Sequence, residues 1–582
     1  MLEKNSKEVQ WFEEARLGMF IHWSLYAATE GYHNGKETKG IIEWIQSREK
    51  IPCAEYEKYT EKLNAEGFDP EKIAEMAARA GMKYFVFTAK HHEGFAMFDT
   101  SFDDYSINKR CGVKKDILGE LISAMKKRGI VPCVYYSQGV DFHEPNAMGN
   151  TWDFKTPENE RDFRSYLDGK CKTQLKEILT KYGDIGMIWF DVPRGITPAI
   201  AKELRAYVKS IQPNCLVNGR LGGGKDDWDY ICMGDNEAPY GRIAYPAETA
   251  ATMNNTWGYK KDDKNFKSAK TIIELLCQLC SKGVNLLLNI GPKPDGSVPE
   301  ESIEILDKLS EWMALNSEAI HKTKASPFAS DFSYGWMSQK DENLYVFVKD
   351  EIPEISIMGL ENDILSAKSM SGEEILVAKT PNGVRLNLKN VKFSDTVTVL
   401  KLVLDGKPKA KQSLMQQEEG FLSLPCCECV IHKKESADGA QNFDSALDRV
   451  LGEYRDVNPE MNVNINGTVE QWMSCENYIS WDAQIREEGT YKAVLYTVTG
   501  KYRNWCGGHK TELLCGNEKL TATLSEDTVS RGVNRQYFAE TGSVLGELSL
   551  KEGKHTFTLK ANEINEEDPV GLSVTRLELV KI

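Results

Sequence analysis

The 582-residue sequence contains no run of about 18 consecutive apolar residues, the length that a membrane-spanning helix needs. It also lacks a cluster of basic residues, and its net charge of −15 and pI near 5.3 would repel nucleic acids and anionic membranes. We therefore expect neither as a partner. The N-terminus lacks the apolar core of a signal peptide, so the chain as printed is expected to be cytoplasmic, and secreted if a signal peptide has been removed.

Disulfide bonds and structural metal sites are not expected either. The 14 cysteines are scattered and lie mostly in apolar runs, which is typical of reduced thiols packed as small hydrophobic side chains. Cys277 and Cys280 have the spacing of a zinc half-site, but they lie in a helix-like stretch with no second pair nearby. Cys426, Cys427 and Cys429 are likewise expected to pack as reduced thiols. A metal-binding or disulfide role for them is the less favoured alternative.

Strand-like and helix-like segments alternate between about residues 15 and 325. Such alternation is typical of parallel strands joined by helices, and over this length a closed (β/α)8-like barrel is the default architecture. We therefore predict a barrel domain over residues 1–325. The predicted strands are 17–23, 84–89, 130–136, 187–191, 215–219 and 284–290, and the predicted helices are 69–80, 116–127, 161–181, 198–211 and 268–281.

The remaining chain has the period-two pattern of antiparallel strands from Leu344 onward. We predict a β-sandwich domain over 326–433, a polar linker over 434–449 and an all-β, jelly-roll-like domain over 450–582. The last domain is a candidate carbohydrate-binding module because aromatic side chains stack on sugar rings, although burial in the core is favoured for most of them. Its candidate aromatics are Trp472, Trp481, Tyr502 and Trp505.

Polar side chains follow several of the predicted barrel strands. His91 and His92 close the run 84–89, His22 follows the first strand, and Asp191 ends the fourth. In a parallel barrel the carboxyl ends of the strands meet at one rim, which is where active sites lie. The sequence therefore predicts a site built from the residues that share this position, namely His22, His91, His92, Tyr136, Asp191 and Arg220.

A metallohydrolase is the nearest rival enzyme class, with His91, His92, Asp191 and Glu237 as zinc or manganese ligands. Adjacent histidines on a strand point to opposite faces, however, so one metal ion reaches both only if the backbone turns there. We therefore expect no metal ion and no cofactor.

Seven segments in order resemble the signatures of the α-L-fucosidases of glycoside hydrolase family 29. They include the Arg-Leu-Gly-Met-Phe-Ile-His-Trp run that ends at Trp23 and the Trp-Phe-Asp triplet that ends at Asp191. The predicted sandwich matches the usual second domain of this family. The seven segments are 13–23, 43–44, 90–95, 189–191, 217–220, 256–259 and 283–292.

This resemblance implies a retaining exo-glycosidase that removes terminal α-L-fucose from oligosaccharides or glycoconjugates through a covalent glycosyl-aspartate. Such an enzyme needs one ionised carboxylate as nucleophile and one protonated carboxyl as acid/base. Asp191 is the expected nucleophile. Glu237 is the first choice for the acid/base, with Glu248 as the alternative.

The resemblance also implies a set of substrate-binding residues around these carboxyls. The histidines are expected to hydrogen-bond sugar hydroxyls, the aromatic residues to bound the pocket or pack on the C5 methyl group, and Arg220 to keep Asp191 ionised or to bind a hydroxyl. The expected binding residues are His22, Glu43, Trp44, His91, His92, Tyr136, Trp189, Arg220 and Trp257.

Two alternatives stay open at this point. The chain is a non-catalytic sugar-binding protein if the barrel is degenerate and the last domain carries the function. It is a related glycosidase with another L-sugar or a galactose-like glycone if the pocket rim is reshaped, since Val192, Pro193 and Arg194 follow Asp191 where glycine is more often expected. No residue pattern indicates the fucosyl linkage or an oligomeric state.

Overall fold

The computed structural model describes residues 7–224, 227–329, 331–416, 420–433, 460–498, 505–529, 540–568 and 570–582. Their contacts divide the described residues into two compact units. The barrel unit lies within Met1–Cys232, Tyr245–Ile272 and Asn285–Ser317, and the second unit lies within Met233–Ala244, Ile273–Val284 and Glu318–Ile582.

Eight strands form one parallel sheet in the order β5-β4-β3-β2-β1-β8-β7-β6. They are β1 Leu17–Ile21, β2 Tyr84–Lys90, β3 Val131–Tyr136, β4 Met187–Phe190, β5 Leu216–Val217, β6 Ile231–Cys232, β7 Ala247–Thr252 and β8 Val284–Ile290. The two end strands are joined by a parallel bridge between Asn218 and Tyr230. There the amide of Gly219 donates to the carbonyl of Tyr230 at 2.9 Å. The sheet therefore closes into the predicted (β/α)8-like barrel.

Amphipathic helices with clear starting signals connect these strands. The Asp69 side chain accepts a hydrogen bond from the amide of Lys72, and Pro70 occupies the first helical position. The main helices are α1 Gln10–Ala15, α2 Pro70–Arg79, α3 Ile117–Lys126, α4 Lys172–Lys181, α5 Pro198–Ile211, α6 Ala269–Lys282 and α7 Glu300–Asn316, with short helices at Ile45–Arg48, Cys53–Tyr56, Ile107–Arg110 and Phe163–Tyr166. Within the described part of the chain, no helix has the length and apolar character needed to cross a membrane.

Several barrel elements differ from the sequence prediction, which included neither α1 nor α7. The single helix predicted over 161–181 is interrupted by a π-helical segment, Leu167–Cys171, before α4 begins. The strand Ala247–Thr252 was missed because its residues are small or polar and form no apolar run, although all six are buried. Burial in the barrel, rather than intrinsic strand propensity, makes this segment a strand.

The first β-sandwich is formed by two antiparallel sheets with the strand orders β9-β10-β15-β12 and β11-β14-β13. Its strands are β9 Gly335–Lys340, β10 Asn343–Val348, β11 Glu354–Met358, β12 Ile364–Ser369, β13 Leu376–Thr380, β14 Gly383–Asn387 and β15 Thr398–Leu404. Side chains of both sheets, among them Leu344, Ile357, Leu386 and Leu402, share one hydrophobic core.

Strand pairing corrects the predicted domain boundary at residue 433. The strands β16 Leu414–Met415, β17 Phe421–Pro425 and β18 Val430–His432 all pair with strands of the last domain. Leu422 and Leu424 lie in the core of that domain. An alternating pattern predicts strands but carries no information on their partners. The predicted linker over 434–449 lies outside the described residues.

The last domain contains two sheets that share one core, in agreement with a jelly-roll-like sandwich. The first has the order β16-β21-β27-β23-β24 with β18 on β21, and the second has the order β19-β20-β28-β22-β26-β25 with β17 on β28. The strands not yet given are β19 Asn462–Val463, β20 Val469–Trp472, β21 Tyr478–Ile485, β22 Gly489–Val498, β23 Lys510–Cys515, β24 Glu518–Thr523, β25 Thr528–Val529, β26 Glu540–Leu550, β27 Gly553–Glu563 and β28 Leu572–Lys581.

The candidate sugar-stacking aromatics of this domain are mostly core residues. Trp472 and Trp481 are at most 1% exposed, and Trp505 packs partly buried against the same core. Tyr502 lies outside the described residues. The described cysteines form no disulfide, and Cys277 and Cys280 are buried within α6.

The domain boundary can be tested with Leu424→Ala, which removes a fully buried side chain from the core of the last domain. We expect a loss of about 2–5 kcal/mol of stability in that domain. Hydrogen exchange followed by mass spectrometry should then become faster in strands between 469 and 581 and stay unchanged between 335 and 404. Leu386→Ala, in the first sandwich, is the matched control with the reverse pattern. Faster exchange of 335–404 in Leu424→Ala would contradict the revised boundary.

Candidate active site

Three barrel strands end in buried polar side chains at the same rim. His22 directly follows β1, His91 and His92 follow β2, and Asp191 follows β4. All four residues are at most 9% exposed. Because the strands are parallel, their carboxyl ends meet, and the structure brings these side chains together as predicted.

The two adjacent histidines lie side by side, so the expectation that they point to opposite faces was wrong. Strand alternation applies only within a strand, and β2 ends at Lys90, one residue before the pair. The centroids of the His91 and His92 rings are 4.3 Å apart. The ligand-capable atoms of His91, His92 and Asp191 all lie within 4.8 Å of one another.

Asp191 is held as an ionised carboxylate by donors on both oxygens. Arg220 Nη1 lies 3.1 Å from Oδ1, and the Tyr135 hydroxyl donates to Oδ2 at 3.0 Å. Burial by itself raises the pKa of Asp191, but the charge of Arg220, followed by His92 and the hydrogen bonds, outweighs burial and lowers it. The amide side chain of Gln138 bridges the Asp191 amide and the Arg220 carbonyl at 2.9 and 3.1 Å, which fixes both residues.

The distances within this cluster would allow a metal ion, but the donor set does not fit one. Arg220 already supplies a full positive charge to Asp191 at 3.1 Å and would repel a second cation. The Nδ1 atom of His91 accepts a hydrogen bond from the His92 amide at 2.8 Å, so it is not available as a ligand atom.

The hydrogen-bond partners define the protonated nitrogen of each imidazole. His91 Nδ1 accepts from the His92 amide, so a neutral His91 carries its proton on Nε2. His92 Nδ1 lies 2.8 Å from the Ser137 hydroxyl, which itself donates to the Val140 carbonyl, so His92 is protonated on Nδ1. Burial lowers the pKa of His91 well below its usual value and that of His92 to about 4, so both rings are neutral near pH 7.

His22 is oriented by an amide that the sequence did not single out. Asn289 Nδ2 donates to the Trp257 carbonyl at 2.7 Å, which leaves its Oδ1 to accept from His22 Nδ1 at 2.7 Å. His22 therefore donates a hydrogen bond from Nδ1. Its ring also packs on Trp257, with centroids 5.1 Å apart.

Aromatic side chains surround the polar cluster. Trp44 packs on His92 at 4.7 Å between centroids, and Trp189 stacks on Tyr135 at 5.6 Å. The Arg220 guanidinium lies 4.9 Å from the centre of the Trp189 ring. The site thus combines one carboxylate, neutral imidazoles and apolar faces, a combination suited to a neutral sugar that carries an apolar group.

Tyr135, rather than Tyr136, faces this cluster. Neighbouring residues of β3 point to opposite sides of the sheet, and only Tyr135 contacts Asp191 and stacks on His91, with centroids 4.9 Å apart. The Tyr136 hydroxyl instead donates to Gln174 at 2.8 Å. Both residues are fully buried, so the sequence offered no burial signal that separates them.

Glu43 is a buried carboxyl beside Trp44. Its Oε2 accepts long hydrogen bonds from the Thr256 hydroxyl and the Gly258 amide, at 3.4 and 3.3 Å. Its Oε1 is buried and has no partner among the described residues, as expected for an atom that a bound hydroxyl completes. Burial raises the pKa of Glu43 to about 7.

Glu248 lies inside the barrel, where both of its oxygens are occupied. It is the second residue of β7 and is fully buried. The hydroxyl of Tyr84, the first residue of β2, donates to its Oε2 at 2.5 Å, and Trp189 Nε1 donates to its Oε1 at 2.8 Å. Burial raises the pKa of Glu248 to about 7. This arrangement suits a residue that orients Trp189.

Glu237 belongs to the second unit, where it lies in the loop Met233–Ala244. Its carboxyl is buried, and Nδ2 of Asn466 in the last domain donates to its Oε1 at 2.5 Å. Sequence reasoning missed Asn466 because the two residues are 229 positions apart. Tyr135, Gln138 and Asn289 were also missed, although Asn289 lies in one of the seven family-like segments.

Comparison with known proteins agrees with the resemblance of the motifs. The family model described as Alpha-L-fucosidase matches residues 2–318. A putative α-L-fucosidase of Caenorhabditis elegans is 28% identical over 440 residues, which cover 70% of this chain and 88% of that protein. The crystal structure of the α-L-fucosidase from Vibrio sp. strain EJY3 matches 99% of this chain and 98% of its own, with 25% identity and a TM-score of 0.83.

A further solved structure carries mechanistic information about a similar protein. It is an α-L-fucosidase GH29 from Bacteroides thetaiotaomicron, described as a trapped covalent intermediate in complex with 2-fluoro-fucosyl fluoride, obtained with a glutamate-to-glutamine mutant. It shares 26% identity and a TM-score of 0.64, and the match covers 69% of this chain and 97% of that one. The chain described here therefore belongs to the α-L-fucosidases of glycoside hydrolase family 29 and is a glycoside hydrolase.

Proposed function

We propose that this enzyme removes terminal α-L-fucose from oligosaccharides or glycoconjugates by a retaining double displacement, with Asp191 as nucleophile and Glu237 as acid/base. The observation that carries the proposal is the ionised Asp191 carboxylate, which Arg220 and Tyr135 hold at a strand end among neutral imidazoles. The sugar-binding protein and the glycosidase with another glycone are not favoured by the similarities above.

In the first step a carboxylate oxygen of Asp191 attacks the anomeric carbon of fucose. The glycosidic bond breaks, and the protonated Glu237 gives its proton to the departing oxygen. The products of this step are the free leaving group, a fucosyl ester on Asp191 and an ionised Glu237. Arg220 favours the attacking form of Asp191 because its charge stabilises the carboxylate.

In the second step Glu237 takes a proton from water, and the resulting hydroxide equivalent attacks the anomeric carbon. The ester bond to Asp191 breaks, which releases α-L-fucose and regenerates both carboxyl groups. The covalent intermediate named for the Bacteroides thetaiotaomicron enzyme supports this two-step course.

The neutral His91 and His92 can bind the fucose hydroxyls without competing for the charge of Asp191. His91 offers a donor at Nε2, whereas His92 offers an acceptor at Nε2. Trp189 and Trp257 offer apolar faces for the C5 methyl group. Glu43 and Trp44 complete the proposed binding set.

Asp191→Asn tests the nucleophile. We expect the hydrolysis of 4-nitrophenyl α-L-fucoside to fall at least about 10³-fold, because an amide cannot form the ester, while binding of fucose measured by calorimetry persists. Asp184→Asn changes an exposed aspartate that precedes the same strand and should retain full activity.

The stereochemistry of the product is a second readout of the same proposal. Proton NMR of the wild-type reaction should show α-L-fucose as the first anomer formed. Early accumulation of β-L-fucose would overturn the double displacement, and full activity of Asp191→Asn would overturn the nucleophile.

Glu237→Gln tests the acid/base with azide as an external nucleophile. Azide needs no general base, so it should accelerate turnover of 4-nitrophenyl α-L-fucoside by this variant at least about 10-fold and yield α-L-fucosyl azide. Asp235→Asn, on the same loop, and Glu248→Gln are the comparison variants and should show no rescue. Rescue of either of them, with none for Glu237→Gln, would reassign the acid/base.

Arg220→Met tests the electrostatic role of the guanidinium. Asp191 acts as the ionised form, and Arg220 lowers its pKa, so wild-type activity should persist to low pH. Without this charge the pKa of Asp191 rises. In the pH profile of kcat/KM, the pH below which activity falls should therefore increase by about one unit or more. Arg205→Met breaks another ion pair, with the buried Asp229, and should leave this pH unchanged. An unchanged pH profile in Arg220→Met would show that Arg220 does not control the nucleophile.

A further inference from the structure

The loop that carries Glu237, residues 233–244, is attached to the last β domain at several points. The amide of Tyr240 donates to the carbonyl of Asn466 at 2.8 Å, and the Tyr240 hydroxyl donates to Glu540 Oε1 at 2.8 Å. Gly241 packs so closely on Cys427 that a Cβ there would lie 2.5 Å from the sulfur. Every one of these partners belongs to strands or turns of the last domain.

The anchor at Glu540 is a buried and well-satisfied cluster. Glu540 is 2% exposed, and its Oε1 accepts hydrogen bonds from Tyr240, from the Thr575 hydroxyl and from Arg576 Nη1, each at 2.8 Å. Arg576 balances the charge of Glu540. Such a cluster holds Tyr240, three residues after Glu237, in one place.

Asn466 lies at the tip of the turn between β19 and β20, and this turn is rigid. The Asn464 side-chain oxygen accepts from the amides of Asn466 and Thr468, each at 3.0 Å. Gly467 has a φ of +85°, in the left-handed region that favours glycine. The turn therefore presents the Asn466 side chain in a defined direction.

The amide of Asn466 is only half satisfied by the protein. Its Nδ2 donates to Glu237 Oε1 at 2.5 Å, whereas its Oδ1 is buried without a partner among the described residues. Asn466 itself is 2% exposed. The hydrogen bond that the Asn466 side chain donates therefore goes to the carboxyl of Glu237.

We propose that Asn466 is a positioning residue, which holds Oε1 of Glu237 so that Oε2 delivers the proton to the leaving oxygen. This inference rests on the proposed role of Glu237 as acid/base. An N–H donor on Oε1 leaves the acidic proton to Oε2 and fixes the rotation of the carboxyl group.

The test uses the dependence of rate on the leaving group in the full-length enzyme. A 2-chloro-4-nitrophenolate departs without protonation, whereas phenolate needs an acid, so a defect in proton donation selectively slows phenyl α-L-fucoside. We expect Asn466→Ala to lower kcat/KM about 30-fold on the phenyl substrate and less than about three-fold on the 2-chloro-4-nitrophenyl substrate. On the activated substrate kcat and KM should fall together, because the base-assisted second step is also slower.

Three comparison variants complete the design. Asn462→Ala removes an amide of the same hairpin whose Nδ2 donates to the Glu460 carbonyl at 3.0 Å, and it should behave as wild type. Tyr240→Phe removes the hydroxyl that reaches Glu540 and should show the pattern of Asn466→Ala in a weaker form. Glu237→Gln should show the pattern in its strongest form.

The ratio of kcat/KM values on the two substrates is independent of the fraction of folded enzyme, so partial misfolding of Asn466→Ala leaves the test intact. An unchanged ratio in Asn466→Ala, with a strongly changed ratio in Glu237→Gln, would overturn the role of Asn466 alone. An unchanged ratio in Glu237→Gln would overturn the acid/base assignment in the proposed function.

Discussion

The buried ion pair between Asp191 and Arg220 is the interaction on which the rest of the site depends. A carboxylate taken out of water loses several kcal/mol of hydration, and a guanidinium at 3.1 Å is what allows Asp191 to stay ionised there. Gln138 hydrogen-bonds to the backbone of both partners, so the pair is fixed by the barrel rather than by chance side-chain rotamers. Tyr135 adds a hydroxyl donor to the second oxygen.

Burial favours the neutral forms of other titratable groups around this pair. It raises the pKa of Glu43 and of Glu248 to about 7 and lowers the pKa of His92 to about 4. Asp191 is shifted in the opposite direction from the two glutamates because it alone among these three carboxyls has a guanidinium in direct contact. An ionised carboxylate beside neutral imidazoles is an electrostatic arrangement suited to a nucleophile for a neutral sugar.

The last β domain contacts the loop of Glu237 but does not present Trp472 or Trp481 for stacking on a sugar. Two of its tryptophans, Trp472 and Trp481, are core residues and offer no stacking surface. The turn that contains Asn466 and the buried pair of Glu540 and Arg576 instead hold the loop of Glu237. The domain thus contributes through hydrogen bonds to a loop that is distant in sequence, and this contribution would be lost without its strand framework.

The sequence by itself determined the barrel, the strand ends and the carboxylate Asp191, because apolar runs and helix caps are local signals and a parallel barrel places every strand end at one rim. It named Tyr136 in place of Tyr135, since both are buried and only the direction of the side chain separates them. It missed the strand Ala247–Thr252, the partners of β16–β18 and the contact of Asn466 with Glu237. Those features depend on which distant segments pack together, and only the tertiary structure decides that packing because no local pattern encodes it.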